Sequence, residues 1–149
     1  MCSKSISELT TKEELLEAYP VLKQLRPIGE ETFLDTYDTM REESGYQLFA
    51  LRSEDGDIRA LAGVVIETNM YHGKHAWVHE LVVDEPHRGN GHGGELLSWV
   101  ASWADSKDCS CVELASGHWR DEAHAFYEQE GMEKYCYTFK TDLSAVSLY

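Results

Sequence analysis

An apolar run, Leu81-Val82-Val83, leads into the stretch His87-Arg88-Gly89-Asn90-Gly91-His92-Gly93-Gly94, and an amphipathic helical pattern follows from Glu95. The order strand, glycine-rich turn, helix constrains this chain more than any other feature. Glycine lets the backbone turn tightly and leaves its N–H groups accessible. The helix N-terminus adds unpaired donors and partial positive charge. Such a turn suits a phosphate or diphosphate group, and Arg88 supplies a full positive charge for it. A nucleoside-triphosphate loop is excluded, because Gly94 is followed by Glu95 and no Gly-Lys-Ser/Thr sequence occurs. A dinucleotide-binding unit would place its glycines early, in a parallel unit, whereas a meander precedes these.

The pattern on either side fills in the architecture. Leu15, Leu16, Tyr19, Leu22 and Leu25 recur near helical spacing and predict a helix over 12–25. Thr10 or Thr11, with Glu13 or Glu14 three residues later, forms a capping box, and Pro20 is expected to kink or divide the segment. A second helix over 30–44 carries Phe33, Leu34, Tyr37 and Met40 on one face, with Gly45 at its C-terminal stop. Strands are predicted over 46–52, 58–68 and 75–84, paired antiparallel because their connections are short. A helix over 95–107, a short strand over 111–115, a helix over 121–130 stopped by Gly131 and a final alternating strand over 132–143 complete the chain. This is a mixed α/β sheet in one domain, 1–149, with no internal repeat or linker.

Bulk composition narrows the function classes. A net charge of −14 opposes general binding to nucleic acid or to an anionic membrane, so any phosphate site is a local positive spot in a negative field. No apolar run is long enough to span a membrane, and no apolar stretch of signal-peptide type follows Met1. Cys109 and Cys111 are two apart, a spacing that puts them on one face of a strand; no CxxC pair is present, and a reduced, cytoplasmic protein is expected. His72, His75, His87, His118 and His124 show no ligand spacing, so no metal is expected. Trp77, Trp99, Trp103 and Trp119 are read as core and pocket walls.

Two motifs carry a resemblance. Arg88 to Gly93 matches R/Q-x-x-G-x-G/A, which resembles the acyl-CoA-binding signature of the GNAT acetyltransferases. Ala123-His124-Ala125-Phe126-Tyr127-Glu128-Gln129-Glu130-Gly131-Met132 resembles that family's A-x-x-F-Y-x-x-x-G-F helix, with Met132 in place of phenylalanine. Arg120 stands where many members carry asparagine. The resemblance implies a largely antiparallel central sheet of about six or seven strands flanked by about four helices, with a splayed strand pair that holds acyl-CoA. It implies acetyl-CoA as co-substrate. The diphosphate lies on the amides of Gly89, Asn90, Gly91, His92, Gly93 and Gly94 with Arg88 beside them, and the pantetheine pairs with the opened backbone of Leu81, Val82 and Val83 like an added strand.

The chemistry of acetyl transfer sets the remaining roles. An alkyl ammonium, with a pKa near ~10.4, must lose its proton before it attacks, and the departing thiolate must be protonated. Tyr127 matches the family's thiolate-facing tyrosine and is assigned as acid. Glu80 or His79, adjacent on the predicted strand and so on opposite faces, is the base. Glu80 is preferred because a carboxylate also attracts a cationic amine, while His79 is better tuned to neutral pH. The implied reaction moves acetyl to a primary amine of a small molecule, peptide or protein by direct attack in a ternary complex. A non-catalytic acyl-CoA sensor is the alternative. The helix face with Glu30, Glu31, Asp35, Asp38, Glu42 and Glu43 is read as mostly solvated, with some residues guiding a cationic acceptor. Tyr37, Tyr46, Tyr71 and Trp119 are candidate pocket linings, and the edge of the strand over 132–143 is a candidate homodimer contact.

Overall fold

The structure, a computed structural model, describes residues 5–143. They fall into two compact units, one up to Leu114 and one from Ala115 onward. In chain order the first holds β1 (Ser5–Glu8), α1 (Lys12–Leu25), α2 (Glu30–Ser44), β2 (Gln47–Arg52), β3 (Ile58–Asn69), β4 (Gly73–Val83), a single 3-10 turn (Glu85–His87), α3 (His92–Ser106) and β5 (Val112–Leu114). The second holds α4 (Asp121–Gln129).

Local chemistry explains where α1 and α2 start and stop. The Glu14 amide donates to Thr11 Oγ1 at 3.1 Å, and the Thr11 amide donates back to Glu14 Oε1 at 3.1 Å, a reciprocal cap. The Thr10 amide, at 2.9 Å, and the Thr11 amide both donate to Glu14 Oε1 and hold the Glu14 carboxyl below its ordinary value. Pro20 does not divide α1, which runs unbroken to Leu25. Leu15 and Ala18 before the proline and Val21 and Leu22 after it are all buried, and that shared apolar face outweighs one missing hydrogen bond. Gly45, at φ 70°, ends α2 in the left-handed region.

The sheet has five strands in the order β1-β2-β3-β4-β5, with β1 to β4 antiparallel and β5 parallel to β4. Strand alternation divides the core between its faces. Leu48, Ala50, Leu61, Val65 and Val82 pack with α1 and α2. Phe49, Leu51, Ala60, Ala62, Val64, Ala76 and Val78 pack with Leu96, Val100 and Ala104 of α3. One fact breaks the parity. Val78 and Val82 are an even number apart on one strand, yet they belong to opposite faces. The ladder shows why: Gly63 pairs with Glu80 and Val64 with Val78, so His79 is an extra residue. This β-bulge turns the rest of β4 over.

Several expectations are corrected. The sheet has five strands among the described residues, fewer than the six or seven expected. β1 appears ahead of the first expected helix, where no strand is expected; its four residues offer one apolar position, Ile6, and it is defined by pairing with β2. No strand forms over 132–143; Tyr135, Tyr137 and Phe139 are exposed at 59%, 87% and 91%. Alternation supplies a face but no ladder, and the proposed dimerisation edge falls with that strand. Cys109 and Cys111 precede β5 rather than sharing it. Trp119 is 73% exposed, and Trp99 and Trp103 pack on Phe49. No helix among the described residues is long and apolar enough to cross a membrane.

Candidate active site

The turn after β4 is built from backbone. Gly89 and Gly91 have φ of 84° and 83°, a conformation that side-chain-bearing residues rarely adopt. Gly91 is the N-cap of α3, which starts at His92 rather than at Glu95, so the amides of His92, Gly93 and Gly94 form its first turn. No side chain caps them. Those amides and the dipole behind them are the features of an anion site. The His92 side chain is buried, only 9% exposed.

Arg88 lies exposed beside this turn and is tied to the scaffold. Its Nε donates to the Val83 carbonyl at 3.0 Å, and its Nη2 lies 3.5 Å from Gln24 Oε1. Gln24, in the last turn of α1, also accepts from the Glu85 amide at 2.9 Å and donates to Asp84 Oδ1 at 2.8 Å. One amide side chain thus fixes both the path of the turn and the placement of its arginine. Nothing in the sequence pattern marks Gln24 for this task.

Upstream of the turn, β4 has an open edge. Its ladder with β5 covers only Ala76, Val78 and the residue between them, ending at Val78–Leu114, while β4 continues to Val83 paired with β3 alone. Leu81, Val82 and Val83 therefore lie where no strand of the described residues pairs on the β5 side. Backbone groups along such an edge can receive an extended amide chain.

The bulge brings the two candidate bases together instead of opposing them. Glu80 Oε1 accepts from the Tyr46 hydroxyl at 2.5 Å, and the His79 ring lies 6.3 Å from the Tyr46 ring. Arg26, which caps the C-terminus of α1, reaches both: its Nε is 3.3 Å from Glu80 Oε2 and its Nη2 donates to the His79 carbonyl at 2.7 Å. The Glu80 side chain is 12% exposed, so the carboxylate sits at the rim of the core with an arginine and a phenol as partners. Tyr46 is buried, and burial, then the Glu80 charge and the hydrogen bond to it, hold the phenol well above its ordinary range. Tyr37 is buried edge-on against Tyr46 and donates to the Leu9 carbonyl, so both tyrosines are core residues.

Gly63 makes room for this cluster. A Cβ there would overlap the Tyr46 hydroxyl and Glu80 Oε1. Glycine in the middle of a long strand is the sequence signal for a bulge or a close approach, and here it marks both. Arg26 and Tyr46 carry no comparable signal.

In the second unit, Arg120 is the N-cap of α4 and provides no side-chain cap. His124 holds the approach to the helix, its Nε2 lying 2.9 Å from the Gly117 carbonyl. Tyr127 lies on α4 with its ring edge-on to Phe126 at 5.4 Å, and the Met132 amide donates to its carbonyl at 3.0 Å.

Comparison with known proteins follows the same lines. The acetyltransferase (GNAT) family model matches residues 10–132. A Bacillus subtilis (strain 168) protein named as an uncharacterized N-acetyltransferase, YhdJ, is 37% identical over 123 residues, spanning 82% of this chain and 86% of its own. An aminoalkylphosphonate N-acetyltransferase of Salmonella typhimurium is 28% identical over 94 residues, 61% of this chain and 60% of its own. A solved transcriptional regulator from Bacillus halodurans C-125 shares the fold with a TM-score of 0.79 at 20% identity, over 93% of this chain and 99% of that one. The matched span runs from the cap of α1 past the end of α4, and the chain therefore belongs to the GNAT family of acetyltransferases and is an acyltransferase.

Proposed function

We propose that the chain, acting as one N-acetyltransferase domain, moves an acetyl group from acetyl-CoA to a primary amine by direct attack in a ternary complex. Acetyl-CoA supplies an activated acyl carbon and a thiolate leaving group. The observation that carries this reading is the continuity of β4: its open edge runs from Glu80 into an amide-lined helix start. Leu81, Val82 and Val83 suit an extended amide arm, and the amides of residues 89–94 with Arg88 suit its diphosphate.

Glu80 takes the ammonium proton, directly or through one water, and the freed nitrogen lone pair forms the new C–N bond as the C–S bond breaks. Tyr127 gives its phenolic proton to the departing sulfur, and the second proton that the acylated nitrogen sheds returns the phenol to its starting state. Glu80 is favoured over His79 because it combines a partly buried carboxylate with two partners that hold its orientation. The acceptor class is supported by the named acceptor of the Salmonella relative, an amine-bearing molecule.

A thiol-release assay over polyamines, aminoalkylphosphonates, aminoglycosides and amine-bearing peptides tests the reading. Amine-dependent release of free CoA is expected. Acetyl-CoA binding without turnover on any amine would instead support the non-catalytic acyl-CoA sensor.

A further inference from the structure

At the opposite end of β4 from the glycine turn, three donors of different chemistry converge. His72 lies in the β3–β4 turn, Cys111 just before β5, and Glu113 within β5. One ligand atom from each lies within 4.8 Å of the other two. His72 Nε2 and Glu113 Oε2 are 2.8 Å apart, and their side chains are only 14% and 15% exposed. We infer that His72, Cys111 and Glu113 bind one zinc-class divalent transition-metal ion.

The backbone builds this arrangement from two directions. The Ser110 amide donates to the Lys74 carbonyl at 2.7 Å and the Ala76 amide to the Cys111 carbonyl at 3.0 Å. Ala76 and Val112 are register partners, as are Trp77 and Glu113. This ladder holds the segment extended, so Cys111 and Glu113, two apart, share a face. His72 is pinned on both sides: its amide donates to Asn69 Oδ1 at 2.7 Å, and its carbonyl accepts from Ser110 Oγ at 2.5 Å. Its ring centroid lies 4.4 Å from that of Tyr71 and 5.8 Å from that of buried His75.

Tetrahedral zinc with bonds of about 2.0–2.3 Å places its ligand atoms about 3.3–3.8 Å apart. The ligand atoms here, all within 4.8 Å of one another, lie near that spacing. A thiolate, an imidazole and a carboxylate form a borderline donor set, which selects zinc or cobalt over magnesium or calcium. Three protein ligands leave the fourth position to water. The ion would clip the three-residue strand β5 to the β3–β4 turn, at the end where the β4–β5 ladder is closed. Spacing rules miss the site because His72 and Cys111 are far apart in sequence and only the sheet register unites them.

The test uses the full chain, stripped with a chelator and titrated with Co2+, then with Zn2+ against a chromophoric chelator. One Co2+ per chain is expected, with a near-ultraviolet thiolate-to-cobalt band that Zn2+ abolishes. Cys111→Ser loses the band, and Cys111→Ser, His72→Ala and Glu113→Gln each weaken Zn2+ binding by at least ~10-fold, as loss of a ligand must exceed loss of a supporting contact. Cys109→Ser retains the band and the affinity. Zn2+ raises the melting temperature of the parent chain and not of Cys111→Ser, with the metal-free melting curves of the two showing whether the variant folds. Absence of stoichiometric Zn2+ binding at micromolar concentrations, binding undiminished in Cys111→Ser, or binding lost in Cys109→Ser overturns the inference.

Discussion

The turn after β4 and the cluster around Glu80 stand on the same strand and are made of different materials. The turn is almost all backbone: two glycines in the left-handed region, three amides opening α3, and one exposed arginine held by Gln24. The cluster is almost all side chain, drawn from the C-cap of α1, the residue before β2, the middle of β3 and the bulge of β4. A backbone site is specified by consecutive residues. A side-chain site is specified by register, and here by a single extra residue, His79, which sets the face on which Glu80 emerges. Binding and proton transfer are therefore expected to fail separately.

The largest separation is expected from Glu80→Gln. Removing the proposed proton acceptor should lower kcat by about 10²–10⁴-fold and leave acetyl-CoA affinity within about twofold. Steady-state kinetics paired with calorimetry reads this directly; a variant with normal kcat but a lowered melting point would make Glu80 a structural latch only. The reverse separation is expected from Gly91→Ala. Holding alanine in the left-handed region that the bound turn requires costs about 1–2 kcal/mol, so the acetyl-CoA Kd should rise by about 5- to 30-fold, with kcat at saturation little changed. An unchanged Kd would remove the turn from the binding account.

Gly63→Ala probes the cluster through its packing. The added methyl meets the Tyr46 hydroxyl and Glu80, so stability should fall by about 1–3 kcal/mol in denaturant titrations, together with kcat. The smallest effect is an alkaline one. Burial and Glu80 raise the Tyr46 phenol above its usual value of 10.0, so the neutral phenol is favoured in the folded state. That contribution is complete below about pH 10 and is lost as pH rises through the raised value, at up to about 1.4 kcal/mol per pH unit. The stability difference between the parent chain and Tyr46→Phe should narrow above about pH 10 and stay constant below it. A constant difference through the alkaline range would contradict the buried pairing.

Legibility in the amino-acid sequence divides along the same line. The helices of the first 45 residues, the antiparallel meander and the strand–turn–helix unit follow from local periodicity and capping residues, and they appear within one to three residues of the expected bounds. The glycine turn is legible for the same reason. The strand expected over 132–143 shows the limit, since alternating Tyr135, Tyr137 and Phe139 describe a face and not a hydrogen-bonded partner. β1 is the converse, too short to announce itself and made by its pairing with β2. Arg26, Tyr46 and Glu80 are brought together by the bulge, and His72 with Cys111 and Glu113 by the β4–β5 register; no window of sequence contains either set. Gly63 alone gives local notice, as a glycine inside an otherwise apolar strand.

The measurement that bears most directly on the whole account is isothermal titration of the full chain with acetyl-CoA at moderate ionic strength. Binding of one acetyl-CoA per chain is predicted, despite a net charge of −14, because the open β4 edge and the amides of residues 89–94 act at short range. No detectable heat and no competition with CoA itself would contradict the assignment of that edge and turn as the acyl-donor site.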